Sequence, residues 1–317
     1  MEQQEIRQLH DRLKTNMETV IKGKGDVIDK VILCLLCGGH ILLEDLPGTG
    51  KTTLVKALAK SLDCRFTRVQ FTPDLLPSDL TGAHVYSQKT GEFTFRPGPI
   101  FTNLLLADEI NRATPRTQSS LLECMEEGQV SVDGETMVLN QPFFVAATQN
   151  PIEIQGTFPL PEAQLDRFFM RLSMGYPDEQ EEKNMLSAFR EKSPLDDLKG
   201  VVTIDELMQA RTLVRQMPVS DAVLSYIQHL ASATRRDESI RLGVSPRGSL
   251  ALLRASQAHA AVCGREAVWP DDVKAVFTDV LAHRIMLRGH NLNQSAQGAC
   301  TALEQILMTV PVPTEKR

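Results

Sequence analysis

No stretch of about 20 consecutive apolar residues occurs in this chain, so no segment is expected to cross a membrane as a helix. The first residues, Met1-Glu2-Gln3-Gln4-Glu5, lack the basic-then-apolar order of a secretory leader, and a cytoplasmic location is expected. Positive charge is not in excess. Lys and Arg number 34 against 40 Asp and Glu, a net charge of −6 with a pI near 5.7. Chains that track phosphate backbones are usually basic, so nucleic acid is a disfavoured partner. Cysteine is sparse and scattered, six in 317 residues. Cys34 and Cys37 form a C-x-x-C with His40 nearby, but no second ligand pair follows at metal-site spacing. Both lie in an apolar helical run, Val31 to Cys37, where cysteine behaves as a small apolar residue. Low-complexity segments and internal repeats are also missing.

What is present is a loop. Leu46-Pro47-Gly48-Thr49-Gly50-Lys51-Thr52-Thr53 follows the apolar run Ile41-Leu42-Leu43 and leads into Leu54-Val55-Lys56-Ala57-Leu58-Ala59. Strand, Gly-rich loop and helix in that order make a phosphate cradle. Glycine lets backbone N–H groups curl around phosphate oxygens, and the helix N-terminus adds partial positive charge. Lys51 is placed for the β- and γ-phosphates and Thr52 for Mg²⁺. The usual G-x-x-x-x-G-K-[ST] pattern would put its first glycine at Asp45, so Pro47 and Gly48 must make the turn.

The length suggests two domains. Ile6, Leu9, Leu13, Met17 and Val20 recur at helical spacing, and a second apolar helix precedes the Gly38-Gly39 turn. After the loop come an alternating strand over 64–71, a short helix opened by Thr72-Pro73-Asp74, and a hairpin over 85–95. A continuous apolar strand, Leu104 to Ala107, ends on Asp108-Glu109. Thr114-Pro115 starts a helix that Gly128 ends. A second hairpin turns at Asp133-Gly134, and Phe143 to Ala147 is another buried strand. This alternation predicts an α/β core with a parallel sheet over 1–176. From Pro177 the pattern is helical, with helices expected over 179–190, 204–214, 221–234, 249–262 and 271–287, and no strand-like alternation. A separate helical domain is expected over 177–317.

Nucleotides bind outside the carboxyl ends of strands in open α/β sheets. Asp108 and Glu109 would therefore face the phosphates, Asp108 holding Mg²⁺ through water and Glu109 activating the attacking water. An Asp-Glu pair alone is an ordinary strand cap; after four apolar residues, and downstream of a phosphate loop, it points to ATP hydrolysis.

Six segments then resemble, in order, those of AAA+ ATPases and within them the MoxR family. They are Leu-Leu-Glu-Asp-Leu-Pro-Gly-Thr-Gly-Lys-Thr (42–52), Ala-Asp-Glu-Ile-Asn-Arg-Ala-Thr-Pro-Arg-Thr-Gln (107–118), Leu-Leu-Glu-Cys-Met-Glu-Glu (121–127), Ala-Thr-Gln-Asn-Pro (147–151), Pro-Glu-Ala-Gln-Leu-Asp-Arg-Phe (161–168) and Ser-Pro-Arg (245–247). The resemblance implies a P-loop AAA+ core with two hairpin insertions, at 84–97 and 129–140, and a helical lid. It implies that Asn150 is sensor 1, Arg167 the arginine finger for a neighbour's ATP, and Arg247 sensor 2, reaching the γ-phosphate of its own subunit. Ile21 and Gly23 match the segment lining the adenine pocket, and Arg112, Arg116 and Arg171 are further candidates for phosphate or interface contacts. The implied cofactors are ATP and Mg²⁺. The implied assembly is a homo-oligomeric ring, taken as a hexamer, remodelling protein partners that carry von Willebrand factor A domains. The rival readings are a nucleic-acid motor of the same hairpin-bearing clade and a nucleotide-dependent scaffold with negligible hydrolysis. A metabolite kinase fits the Arg-bearing lid poorly, and no G-A-F-T-G-A loop marks a transcription activator.

Overall fold

The chain is described from a computed structural model, over residues 3–89, 91–151, 156–289 and 295–313. In chain order the first part holds α1 (Gln3–Glu18), α2 (Gly25–Cys37), β1 (Ile41–Glu44), α3 (Lys51–Ser61), β2 (Phe66–Gln70), α4 (Pro77–Thr81), β3 (Gly82–Ser87), β4 (Glu92–Pro97), β5 (Leu104–Asp108), α5 (Pro115–Glu127), β6 (Gln129–Val132), β7 (Glu135–Val138), β8 (Phe144–Gln149), α6 (Glu162–Leu165) and β9 (Met170–Leu172). The second part holds α7 (Glu179–Ala188), α8 (Pro194–Asp197), α9 (Ile204–Arg215), α10 (Asp221–Arg236), β10 (Ile240–Leu242), α11 (Pro246–Val262), α12 (Pro270–Leu281), β11 (Met286–Leu287) and α13 (Ser295–Thr309).

Five strands form one parallel sheet in the order β2-β5-β8-β1-β9. The period of two sorts its side chains. Ile41, Leu43, Leu104, Leu106, Phe144 and Ala146 face one core, and Leu42, Leu105, Ala107, Val145 and Ala147 the other. Burial on both faces is why these strands read as unbroken apolar runs. The first core also takes in α1, α2, α3 and the lid helices α9 to α13. The lid therefore shares its apolar packing with one face of the sheet. The second core packs α5 and the segments around it under the opposite face.

Both expected hairpins form, β3 with β4 and β6 with β7, each antiparallel. Thr90, within the hairpin expected over 85–95, lies outside the described residues. Asp133 (φ 51°) and Gly134 (φ 87°) make the second turn with two positive φ values, the geometry that matches the strands' twist. Three expectations need correction, and one helix was not expected. The helix expected from Thr72-Pro73-Asp74 begins at Pro77, whose ring suits a first helical position. The helix expected over 271–287 stops at Leu281, and its last residues form β11. β11 pairs antiparallel with β10, so the lid contains strands after all. Finally, α13 went unread because Ala, Gly and Thr dilute its apolar stripe.

Candidate functional site

A parallel sheet has two ends, and the charged residues divide between them. The carboxyl end carries the loop. Gly48 has φ +82° and Gly50 φ +93°, a region that side chains with Cβ avoid, and a Cβ on Gly48 would meet only open space. Pro47 and Gly48 are exposed at the tip, and Thr49 Oγ1 donates to the Leu46 carbonyl at 3.2 Å. Lys51, Thr52 and Thr53 make the first turn of α3, half-buried. The Lys51 ammonium donates to the carbonyls of Asp45 (2.7 Å) and Leu46 (2.8 Å). Burial pulls its pKa below the usual lysine value, against the opposing pull of Asp45, Asp108 and Glu109. β5 runs parallel to β1 with only β8 between them, so the two carboxylates that follow its end stand at the same end of the sheet as the loop.

Asp108 ends β5. Its Oδ1 accepts from Thr148 Oγ1 at 2.5 Å, and its Oδ2 from Arg68 Nη2 at 2.6 Å. The next residue, Glu109, has φ 57°, and its N–H donates to Thr148 Oγ1 at 2.8 Å. Gln70 Nε2 donates to Glu109 Oε2 at 2.6 Å, and Arg112 Nε pairs with the same oxygen at 3.1 Å. Arg68 and Gln70 alternate on β2, so one face of that strand holds both acidic side chains. Asn150 follows β8 at the same end of the sheet and is buried.

Asp45, where the usual pattern has glycine, is buried and has a structural task. Its Oδ1 accepts from the Leu46 N–H (2.8 Å), and its Oδ2 from the N–H groups of Met174 and Gly175 (both 2.7 Å) and from Ser173 Oγ (3.3 Å). The loop is thereby tied to the strand exit that leads into the lid. From there Tyr176 O accepts from Lys24 Nζ at 2.9 Å, and the Glu181 side chain packs against Gly23 (φ +70°). Ile21 is buried in the core that also takes in Met174, and Gly23 lies one residue before the Lys24 that bonds Tyr176. Arg171 pairs with Glu44 at 3.3 Å inside the sheet, and Arg116 is exposed in the first turn of α5.

The amino end of the sheet is different. His40, just before β1, has its Nε2 on the Met125 carbonyl at 2.9 Å and receives the Val145 N–H on Nδ1 at 3.0 Å. One partner is an acceptor and the other a donor, so the ring is neutral. Burial pushes its pKa down to about 4. Phe169 N–H donates to His40 O at 2.8 Å, which brings the segment before β9 to the same end. In that segment Asp166 accepts from buried Arg284 (Nε, 2.8 Å) and from Ser245 Oγ (2.9 Å), whose oxygen also caps α11 by accepting the Gly248 N–H. Arg284 further donates to the carbonyls of Phe168 and Phe169.

Arg167 and Arg247 sit here as well. Arg167 Nε pairs with Glu126 Oε2 at 3.2 Å, and Arg247 Nη2 pairs with Glu126 Oε1. Strands of four to six residues at about 3.3 Å per residue put roughly 13–20 Å between the two ends. Arg247 is therefore not beside its own loop. The structure thus places Arg247 on Glu126, at the opposite end of the sheet from the loop it was expected to reach. Sequence reasoning also missed Arg68, Gln70, Thr148, His40, Glu126, Asp166 and Arg284. The alternation of 68 and 70 toward one face was the available signal for the first two. Thr148, Glu126 and Asp166 lie within the family-like segments 147–151, 121–127 and 161–168, but their partners, like those of His40 and Arg284, are distant in the chain and left no signal.

A phosphate loop on a parallel sheet, an acidic pair at the neighbouring strand end and a helical lid define an AAA+ nucleotide-binding module. Comparison with known proteins agrees. A model of the ATPase family associated with various cellular activities (AAA) matches residues 40–170, and an AAA lid domain model matches 232–302. The chain is 46% identical to the YeaC protein of Bacillus subtilis, over 99% of this chain and 98% of that one. It is 37% identical to Chaperone MoxR1 of Mycobacterium tuberculosis, over 96% of this chain and 82% of that one. The crystal structure of a candidate ATPase from Cytophaga hutchinsonii superposes with a TM-score of 0.89 at 37% identity, covering 98% of this chain and 97% of its own. The chain belongs to the MoxR family of AAA+ ATPases.

Proposed function

We propose that this protein is a Mg²⁺-dependent ATPase that works as a homo-oligomeric ring, a hexamer, and remodels partner proteins in the manner of a chaperone. The observation that carries the reading is the division of charge between the two ends of one sheet. Lys51, Asp108, Glu109 and Asn150 stand at one end, Arg167 and Arg247 at the other. Phosphoryl transfer needs both sets, because charge spreads over the transferred group and must be met by cations. One chain cannot bring them together, so a second copy must supply the arginines.

The residues present fit a Mg²⁺-nucleotide. The glycines leave room for phosphate oxygens, Lys51 supplies a fixed cation, and Thr52 with Asp108 would hold the metal, Arg68 giving way. Bound there, the metal would neutralise phosphate charge. Glu109, steadied by Gln70, orients and deprotonates the attacking water, and Asn150 hydrogen-bonds that water or the γ-phosphate. Pro47 to Thr53 wrap the phosphates, while Ile21 and Gly23 border the base. Residues 177–317 act as the lid. Asp45 joins loop to lid, so changes at the phosphates pass to the lid through residues 173–176. The hairpins, with Val85, Tyr86 and Phe93 exposed, offer apolar side chains to a protein client. Chaperone MoxR1 supports that role by its name, and partners with von Willebrand factor A domains follow from the family resemblance.

The test is Mg-ATP turnover of the wild-type chain and of Arg167→Ala. A finger contributes about 10³–10⁵ in rate. The variant should bind ATP as the wild type does and lose turnover by at least a hundredfold. Turnover retained within a fewfold would sink the trans mechanism.

A further inference from the structure

We propose that Glu126 is the positioning residue that holds Arg167 and Arg247 together as a pair on the face meeting the neighbouring copy. This rests on the reading that those arginines serve the neighbour's ATP.

Three separate elements converge on this carboxylate. Glu126 lies in the last turn of α5, Arg167 in the segment before β9, and Arg247 in the first turn of α11. Each backbone is pinned by other means. Met125 O, beside Glu126, is bonded by His40. Asp166, beside Arg167, is gripped by Arg284 and Ser245, and Ser245 also caps the helix that starts with Pro246-Arg247. Only the two long side chains then need placing. They carry the same charge and repel, and each has many rotamers to lose. One carboxylate with an oxygen for each removes both obstacles. Among the described residues Arg167 meets Glu126 through Nε, a contact that does not itself use the two terminal nitrogens. The side chains of Glu126, Arg167 and Arg247 are 35%, 32% and 45% exposed, open enough to meet another copy. Ion pairs so exposed add little to stability, so a purely structural role explains the three-way arrangement poorly. Positioning explains it: misplacing a reacting or stabilising group by about 1 Å can cost about 10²-fold in rate.

The experiment compares steady-state Mg-ATP turnover of the full chain with that of Glu126→Gln, alongside particle size and binding of a fluorescent ATP analogue. The amide keeps the shape and loses the charge. The expected result is a fall in kcat of about 10- to 100-fold with KM and analogue affinity within twofold. Turnover within twofold of wild type, or above it, overturns the proposal. Mixing then separates positioning from misfolding. Lys51→Ala subunits have a disabled loop but intact Glu126, Arg167 and Arg247. Co-assembled with Glu126→Gln subunits, they should restore turnover, because each variant supplies what the other lacks. Failure to restore it in a mixed particle overturns the proposal. Absence of turnover in the wild type would instead overturn the ATPase reading, a separate result.

Discussion

At the scale of single residues, Asp45 shows how a departure from a motif carries information. A glycine there would suit the phosphate turn, yet the carboxylate collects N–H groups from Leu46, Met174 and Gly175. Replacing Asp45 by Gly should cost about 2–3 kcal/mol, the value of charge-assisted hydrogen bonds to donors that lose their partner. Urea unfolding would measure it; an unchanged midpoint would mean the clamp is dispensable. The second titratable residue that stands out is His40. Its pKa in the folded chain is about 4, below the ordinary 6.5, so the unfolded chain binds the extra proton between those values. The stabilisation is complete above about pH 6.5 and is lost as the pH falls toward 4, amounting to about 3 kcal/mol. His283, buried against Phe168 O, is shifted in the same direction. His40→Gln keeps a donor and an acceptor without titrating. Its denaturant midpoint should fall less between pH 7.5 and 4.5 than that of the wild type. Parallel curves for the two proteins would remove His40 from the acid response.

At the scale of elements, the junction between core and lid is the informative one. Arg284, after α12, reaches Asp166 and the carbonyls of Phe168 and Phe169, while Ser245 at the head of α11 bonds the same Asp166. The two lid elements thus grip the backbone that presents Arg167. Arg284→Met should destabilise the chain by about 3 kcal/mol, since it strips a buried charge pair of one partner. It should also lower turnover more than it lowers ATP affinity, because the loop at the other end of the sheet is untouched. Thermal unfolding and a KM-against-kcat comparison read the two effects. Equal losses in both kinetic parameters would detach Arg284 from the proposed role of Arg167. The strands themselves were easy to read, because a strand buried on both faces leaves a run of apolar residues. The β10–β11 ribbon was not, because strands of three and two residues carry no usable period.

At the scale of the whole molecule, the proposed shared site ties catalysis to assembly. Turnover per subunit should rise with protein concentration until assembly saturates, as mass action requires. Sizing the particle across the same range checks it. A particle that stays monomeric while turning over ATP at a constant rate would contradict the shared site.

The sequence by itself determined the α/β core, the loop, the acidic pair after β5 and a largely helical second part. These are local: each is written in a few neighbouring residues whose spacing has one physical reading. Glycine at positive φ, apolar runs and strand-end carboxylates announce themselves before any folding. Only the tertiary structure decided at which end of the sheet each arginine lies. It also placed Arg247 on Glu126 rather than over its own loop, made Asp45 a clamp, and let the lid share a core with the sheet. Those facts depend on partners tens to hundreds of residues apart, and a side chain's partner across such a distance is set by packing, which spacing along the chain does not encode.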